Sequence, residues 1–129
     1  YLVTDSTTAI LGNRDLIAVV EEALEGGVTI IQYRDKVSDT AELVSTARRL
    51  HAVTRKYGVP LLINDRVDVA LAVGCEGVHI GQDDLGTPPN ALREALVEHC
   101  RSQKRATPSW RLGYYWCDCV VNCRGQEGL

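Results

Sequence analysis

Gln32, Arg34 and Lys36 stand two residues apart at the end of an apolar, β-branched run. Side chains alternate across a strand, so the three share one face if the strand stays extended. Two cations and an amide donor at this spacing suit a phosphate or a diphosphate, because Arg offers a rigid fork of donors and Lys a point charge. The plainer alternative is a solvated strand end in which Arg34 and Lys36 pair with nearby acids. Asn64-Asp65-Arg66 and Gly81-Gln82-Asp83-Asp84 close two further apolar runs. Asp65 and Asp84, delivered by neighbouring strand ends, can hold one Mg²⁺ while a diphosphate supplies further oxygens. Local alternatives stand beside this: Asp65 as the cap of a following helix, and Asp83 with Asp84 as a polar turn. A diphosphate with one metal accounts for the cations and the carboxylates together.

Other polar residues carry weaker signals. His79, between Val78 and Ile80, either faces the same site or is a hydrogen-bonded core histidine. His51 and His99 fall in helical stretches and read as surface or capping residues. No Ser–His–Asp or Cys–His set is legible, so nothing points to a protein nucleophile. Gly26-Gly27 is a helix stop rather than a phosphate loop, because no helix opens directly on it.

The elements that would position these residues alternate in type. Residues 1–4, 28–33, 61–63 and 77–80 read as short apolar strands. Helices are expected over 14–25, capped by Asn13, over a long stretch opened by Asp39 and closed by Gly58 and Pro60, and over 67–73. A further helix starts at Thr87-Pro88-Pro89, with Leu92, Ala95 and Leu96 facing one way. Four such strand–helix units imply an α/β fold with a parallel sheet. In that arrangement every strand's polar C-terminal end meets on one rim, where parallel α/β folds carry their sites.

The residues on that rim resemble a known family. Tyr1-Leu-Val-Thr-Asp5, Gln32-Tyr-Arg-Asp-Lys36, Ile63-Asn-Asp-Arg66 and Gly77-Val-His-Ile-Gly-Gln-Asp-Asp84 look like thiamine phosphate synthase, in the family's order and at its spacing, over roughly residues 1–98. The wording is closest to the fungal bifunctional type, in which this barrel is fused to a hydroxyethylthiazole kinase. The resemblance implies a partial (β/α)₈ TIM-type barrel, its first four units only. It also implies a transferase of thiamine biosynthesis that condenses hydroxymethylpyrimidine diphosphate with hydroxyethylthiazole phosphate to give thiamine phosphate and diphosphate. By the same resemblance Gln32, Arg34, Lys36 and Asn64 bind the pyrimidine diphosphate, and Asp65 and Asp84 bind Mg²⁺. Two other readings remain: a thiazole tautomerase-like barrel, and a non-catalytic half barrel that binds phosphates or pairs with a partner chain.

Past Leu96 the family continues into a fifth strand and three more units, which supply a Ser, a Lys and the glycine-rich loops for the thiazole phosphate. Residues 101–129 resemble none of these. The chain is therefore expected to hold a first-substrate half-site and to be inactive alone. A half barrel also leaves strand edges open, so marginal stability or self-association is expected.

Composition divides the chain at the same place. Residues 1–99 carry 9 Lys/Arg and 15 Asp/Glu, a formal charge of −6, whereas residues 100–129 carry 5 and 2, a charge of +3. Both Trp and four of the five Cys lie in the second segment. Its Cys spacing, Cys117-x-Cys119-x₃-Cys123 with Cys100, fits no strong zinc template, and four Cys allow three disulfide pairings. Residues 100–129 are expected to be irregular, of the kind produced by a retained intron or a shifted frame. The acidic body argues against nucleic acid as a partner, and no apolar run approaches the ~20 residues that cross a bilayer. Low Cys use in the body fits a reducing, cytoplasmic setting. At 129 residues without a Met, the chain is too short for a whole barrel of ~200 residues or more and reads as a piece of a longer product.

Overall fold

The computed structural model describes residues 1–81, 112–115 and 118–122. Its sheet is built from β1 (Leu2–Val3), β2 (Ile31–Tyr33), β3 (Leu61–Asn64) and β4 (Gly77–Gly81), each paired in parallel with the next. The register sets Val3 beside Gln32, Gln32 beside Leu62, and Asn64 beside His79. Between the strands run α1 (Thr8–Leu11), α2 (Leu16–Glu25), α3 (Thr40–Lys56) and α4 (Val67–Val73). This is the α/β fold with four parallel strands expected of a partial TIM-type barrel.

Period-2 alternation gives the sheet two unlike faces. Ile31, Tyr33, Leu61, Ile63, Val78 and Ile80 are buried in one apolar cluster with residues of α2, α3 and α4. Leu16, Val20 and Leu24 fall one turn apart on α2 and enter that cluster, as Leu43, Ala47 and Leu50 do on α3. The alternate residues, Gln32, Leu62, Asn64 and His79, stand in register on the other face. Helix placement therefore leaves that face for function.

Local chemistry fixes the helix ends. The Asp39 carboxylate accepts from the Glu42 amide at 2.9 Å and caps α3, as its sequence suggests. Arg55 and Lys56 fill its last turn, where the helix dipole favours cations. Gly74 takes φ 72 after α4, a left-handed stop that a side chain would strain. At the strand N-terminal end, Glu76 Oε1 lies 3.1 Å from His51 Nε2 and Glu76 Oε2 accepts from the Leu61 amide at 3.0 Å. This buried pair ties α3 to the start of β3, on the side opposite the polar rim.

Several expectations shift. The first long helix begins at Leu16 with Asp15, not Asn13, as its N-cap, and the separate turn α1 precedes it. Gly12, at φ 63, ends that turn, so the residues before Leu16 cannot join one continuous helix. The second strand is shorter than residues 28–33, although the Ile30 carbonyl still accepts from Leu2. Asp65 is not the cap of α4: Arg66 holds that position, and the Asp65 carboxylate bonds elsewhere.

Within residues 100–129, expected to be irregular, β5 (Leu112–Tyr115) and β6 (Asp118–Asn122) form an antiparallel pair. β6 also pairs antiparallel with β4 along its whole length, giving the order β1-β2-β3-β4-β6-β5. The β4 edge that the sequence left open is thus covered, because strand pairing satisfies its backbone groups whatever the direction of the partner. Asp84 and the helix expected after Thr87 lie outside the described residues. Among the described residues no helix is long and apolar enough to cross a membrane.

Candidate functional site

Four of the six residues singled out from the sequence meet in one hydrogen-bonded chain across β2 and β3. Gln32 Nε2 donates to Asn64 Oδ1 at 2.7 Å. Asn64 Nδ2 donates to Asp65 Oδ2 at 2.7 Å, and Lys36 Nζ reaches the same oxygen at 2.7 Å. Gln32 is buried at 4% exposure, while Lys36 is half exposed, so the chain runs from inside the sheet to solvent. Strand register creates the first bond, because Gln32 and Asn64 lie on the same face of adjacent strands, one pleat apart.

Asp65 is held in an unusual backbone state. Its φ of 59 makes it, among the described residues, the one non-glycine in the left-handed region. Asp tolerates that region better than most residues, at a cost of roughly 1 kcal/mol or more. Its amide donates to the His79 carbonyl at 2.8 Å, and its carboxylate takes the two bonds above. These contacts from β2, β3 and β4 hold a turn that places the carboxylate at the rim.

Arg34 is positioned through its backbone. Thr4 Oγ1 accepts from the Arg34 amide at 3.1 Å and lies 3.5 Å from the Arg34 carbonyl, which extends the β1–β2 contact past the last paired residues. Thr4 is buried at 5% exposure, so this clamp is shielded from water. The guanidinium makes no hydrogen bond or salt bridge among the described residues, and its charge adds to the lowering of the Asp5 carboxyl, whose largest cause is the Thr7 bond. The alternative in which both cations pair with nearby acids thus holds for Lys36, which meets Asp65, and not for Arg34 among the described residues.

The strand does not stay extended to Lys36. It stops at Tyr33, and the next residues wrap around the Asp35 carboxylate. Asp35 accepts from the Val37 amide at 2.9 Å, the Ser38 amide at 3.0 Å, the Ser38 hydroxyl at 2.8 Å and the Tyr33 hydroxyl at 3.2 Å. Burial pushes its pKa up, but the bonds from Ser38 and Val37 outweigh that and hold it below the usual aspartate value. Burial pushes the Tyr33 hydroxyl up to about 12, with the Asp35 charge adding to it. The turn redirects Lys36 from strand spacing to Asp65. Nearby, Arg66 grips Asp68 with two bonds of 2.9 and 2.6 Å and donates to Thr40 at 3.0 Å, joining the starts of α3 and α4 beside the rim.

Tyr1, Thr4 and Asp35 are the rim residues that sequence reasoning missed. Tyr1 lies two before Val3 and so shares its face, which the alternation rule could have shown. Asp35 with Ser38 three residues on is a turn signature. Among the described residues no group of three or more His, Cys, Asp or Glu gathers as a metal set. Asp65 contributes one hard oxygen donor, and a lysine ammonium already rests on it as a cation would. Mg²⁺ needs little more from protein when phosphates complete its shell, so this donor fits that ion. A cavity of about 260 Å³ between β1 and α2 is lined mainly by apolar residues such as Leu2, Leu11 and Leu16, and none of the rim residues Gln32, Asn64, Asp65 or Lys36 lines it.

The fold and the rim define a partial α/β-barrel chain with amide, lysine and aspartate side chains gathered at its strand C-terminal ends. The chain belongs to the thiamine monophosphate synthase family, whose model matches residues 1–101. It is 50% identical over 98 residues to the thiamine-phosphate synthase of Clostridium tetani, covering 76% of this chain and 45% of that protein. It is 52% identical over 99 residues to that of Alkaliphilus oremlandii, covering 77% and 46%. The solved thiamine phosphate pyrophosphorylase from Pyrococcus furiosus superposes with a TM-score of 0.62 at 39% identity, covering 72% of this chain and 43% of that one. The chain therefore spans a little under half the length of the curated relatives it matches.

Proposed function

We propose that this chain forms the diphosphate-binding front of a thiamine phosphate synthase. In the whole protein, the pyrimidine methylene carbon leaves its diphosphate oxygen and is captured by the thiazole nitrogen. The observation that carries the proposal is the linked set Gln32, Asn64, Asp65 and Lys36, with an Arg34 guanidinium that makes no hydrogen bond or salt bridge among the described residues. Arg34 and Lys36 would neutralise charge gathering on the departing diphosphate, and the two amides would hold its orientation. Mg²⁺, carried by Asp65 and Asp84, would supply further positive charge to the diphosphate oxygens. In this reading the reaction requires no protein nucleophile.

Because the chain spans under half of its relatives, binding without turnover is the expected behaviour of these 129 residues. Calorimetry with the pyrimidine diphosphate and Mg²⁺ tests the site. Arg34→Ala should abolish binding and Asp65→Asn should weaken it at least tenfold. Tight binding indifferent to both changes would remove the assignment, and turnover with both substrates would refute the half-site reading.

Three finer points belong to the same proposal. Membership of the fungal bifunctional type is supported by the wording of the four motifs, and a kinase sequence downstream in the parent transcript is its test. A cytoplasmic setting is supported by low Cys use in residues 1–99. Self-association at β1 is supported by the exposure of Tyr1, Val3 and Ile10 beside an outer edge that no described strand covers. Sedimentation as a concentration-independent monomer would remove that last point.

A further inference from the structure

Tyr1 Oη donates to Gln32 Oε1 at 2.6 Å, extending the hydrogen-bonded chain to the residue that precedes β1. The series then reads Tyr1, Gln32, Asn64, Asp65, Lys36, and it has a direction. Lys36 can only donate, so Asp65 Oδ2 is an acceptor. Asn64 must therefore turn its Nδ2 to Asp65, which turns its Oδ1 to Gln32. Gln32 must answer with Nε2, which leaves its Oε1 facing Tyr1. A hydroxyl can donate or accept, and here it donates.

This order decides what the rim offers a ligand. Each amide has two N–H donors and one carbonyl oxygen. Gln32 and Asn64 each use the oxygen and one N–H inside the series. What remains on each is an N–H donor, which suits an acceptor such as a phosphate oxygen. If Gln32 flipped, it would present a carbonyl oxygen instead and repel the same ligand.

We propose that Tyr1 is a positioning residue: the Asp65 carboxylate sets the orientation of the Asn64 and Gln32 amides, and the Tyr1 hydroxyl closes the series and holds Gln32 in that orientation, so that both amides present N–H donors to an anionic ligand. Tyr1 is 59% exposed, while its partner Gln32 is 4% exposed. The bond is thus made between an outer ring and an inner amide. This rests on the diphosphate reading of the rim for its consequence, but not for the lock itself.

Tyr1→Phe removes the hydroxyl and little else. The side-chain amide signals of Gln32 and Asn64 are followed by ¹⁵N-edited NMR, and affinity for inorganic diphosphate with Mg²⁺ by calorimetry. The lock predicts that Tyr1→Phe shifts both amide signals, lowers the urea midpoint only slightly, because one hydrogen bond to a buried amide is lost, and weakens diphosphate about three- to tenfold. Unmoved amide signals would overturn it. Weaker diphosphate with unmoved amides would also overturn it, since Tyr1 would then act on the ligand directly. Shifted amides in a parent chain that binds no diphosphate would sustain the lock and defeat the diphosphate reading instead.

Discussion

Lys36 Nζ sits 2.7 Å from Asp65 Oδ2, although the two residues are 29 apart in sequence and leave different strands. The pair is half exposed on the lysine side, and such pairs contribute only ~0–1 kcal/mol to stability. Its place at the rim, where one partner is a candidate phosphate ligand and the other a candidate metal ligand, points to function rather than to fold maintenance.

Lys36→Met should accordingly leave the urea midpoint within about 0.5 kcal/mol of the parent while weakening diphosphate binding about tenfold or more. Parallel denaturation and calorimetry check this. A large stability loss with unchanged affinity would assign the pair to the fold.

Backbone strain at Asp65 gives a second expectation. At φ 59 glycine is unstrained and alanine is not. Both Asp65→Gly and Asp65→Ala lose the carboxylate, so their difference isolates the backbone. Asp65→Gly should be more stable than Asp65→Ala by about 1 kcal/mol in urea titrations. Equal stabilities would show that the turn relaxes when the carboxylate is gone.

The turn around Asp35 should be sensitive to acid. Hydrogen bonds from Ser38 and Val37 hold the folded pKa of Asp35 below its ordinary value. A depressed aspartate stabilises the folded state fully above its unfolded pKa, and that contribution disappears as pH falls through the folded value. Asp35→Asn should cost about 1–2 kcal/mol near pH 7 and progressively less below about pH 4. Urea midpoints of parent and variant at several pH values measure the convergence. A constant gap across that range would place the effect in packing.

Glu76 offers the opposite contrast to Lys36. It is 6% exposed, bonded to His51 and to the Leu61 amide at the far end of the strands from the rim. Glu76→Ala leaves a buried amide and a buried histidine without that partner, which should cost about 1–3 kcal/mol or more. Diphosphate affinity, measured under conditions where the variant stays folded, should be unchanged. Loss of affinity at full folding would mean that the two ends of the sheet are coupled.

The sequence by itself determined the α/β alternation and most of the rim. Apolar runs ending in polar residues, punctuated by Gly58, Pro60 and Gly74, are local signals, so the strands β3 and β4 and the helix α4 were legible to within a residue. The types and spacing of Gln32, Arg34, Lys36, Asn64 and Asp65 marked them as candidates, and four motifs in register carried the family. Tertiary structure decided how those residues meet. Alternation placed Lys36 on an extended strand, but four bonds to the Asp35 carboxylate bend the chain there, and only then does Lys36 reach Asp65. Sequence left Asp65 between a rim ligand and a helix cap, and its positive φ with its amide bond to His79 decided against the cap. Alternation could place Tyr1 on the face of Val3 but not name its partner, because its role depends on lateral register: β1 must lie beside β2 before a hydroxyl at one chain position can hold an amide 31 residues away. Pairing of β6 with β4 belongs to the same class, since an open strand edge states that it needs a partner but not which segment, or which direction, will supply it.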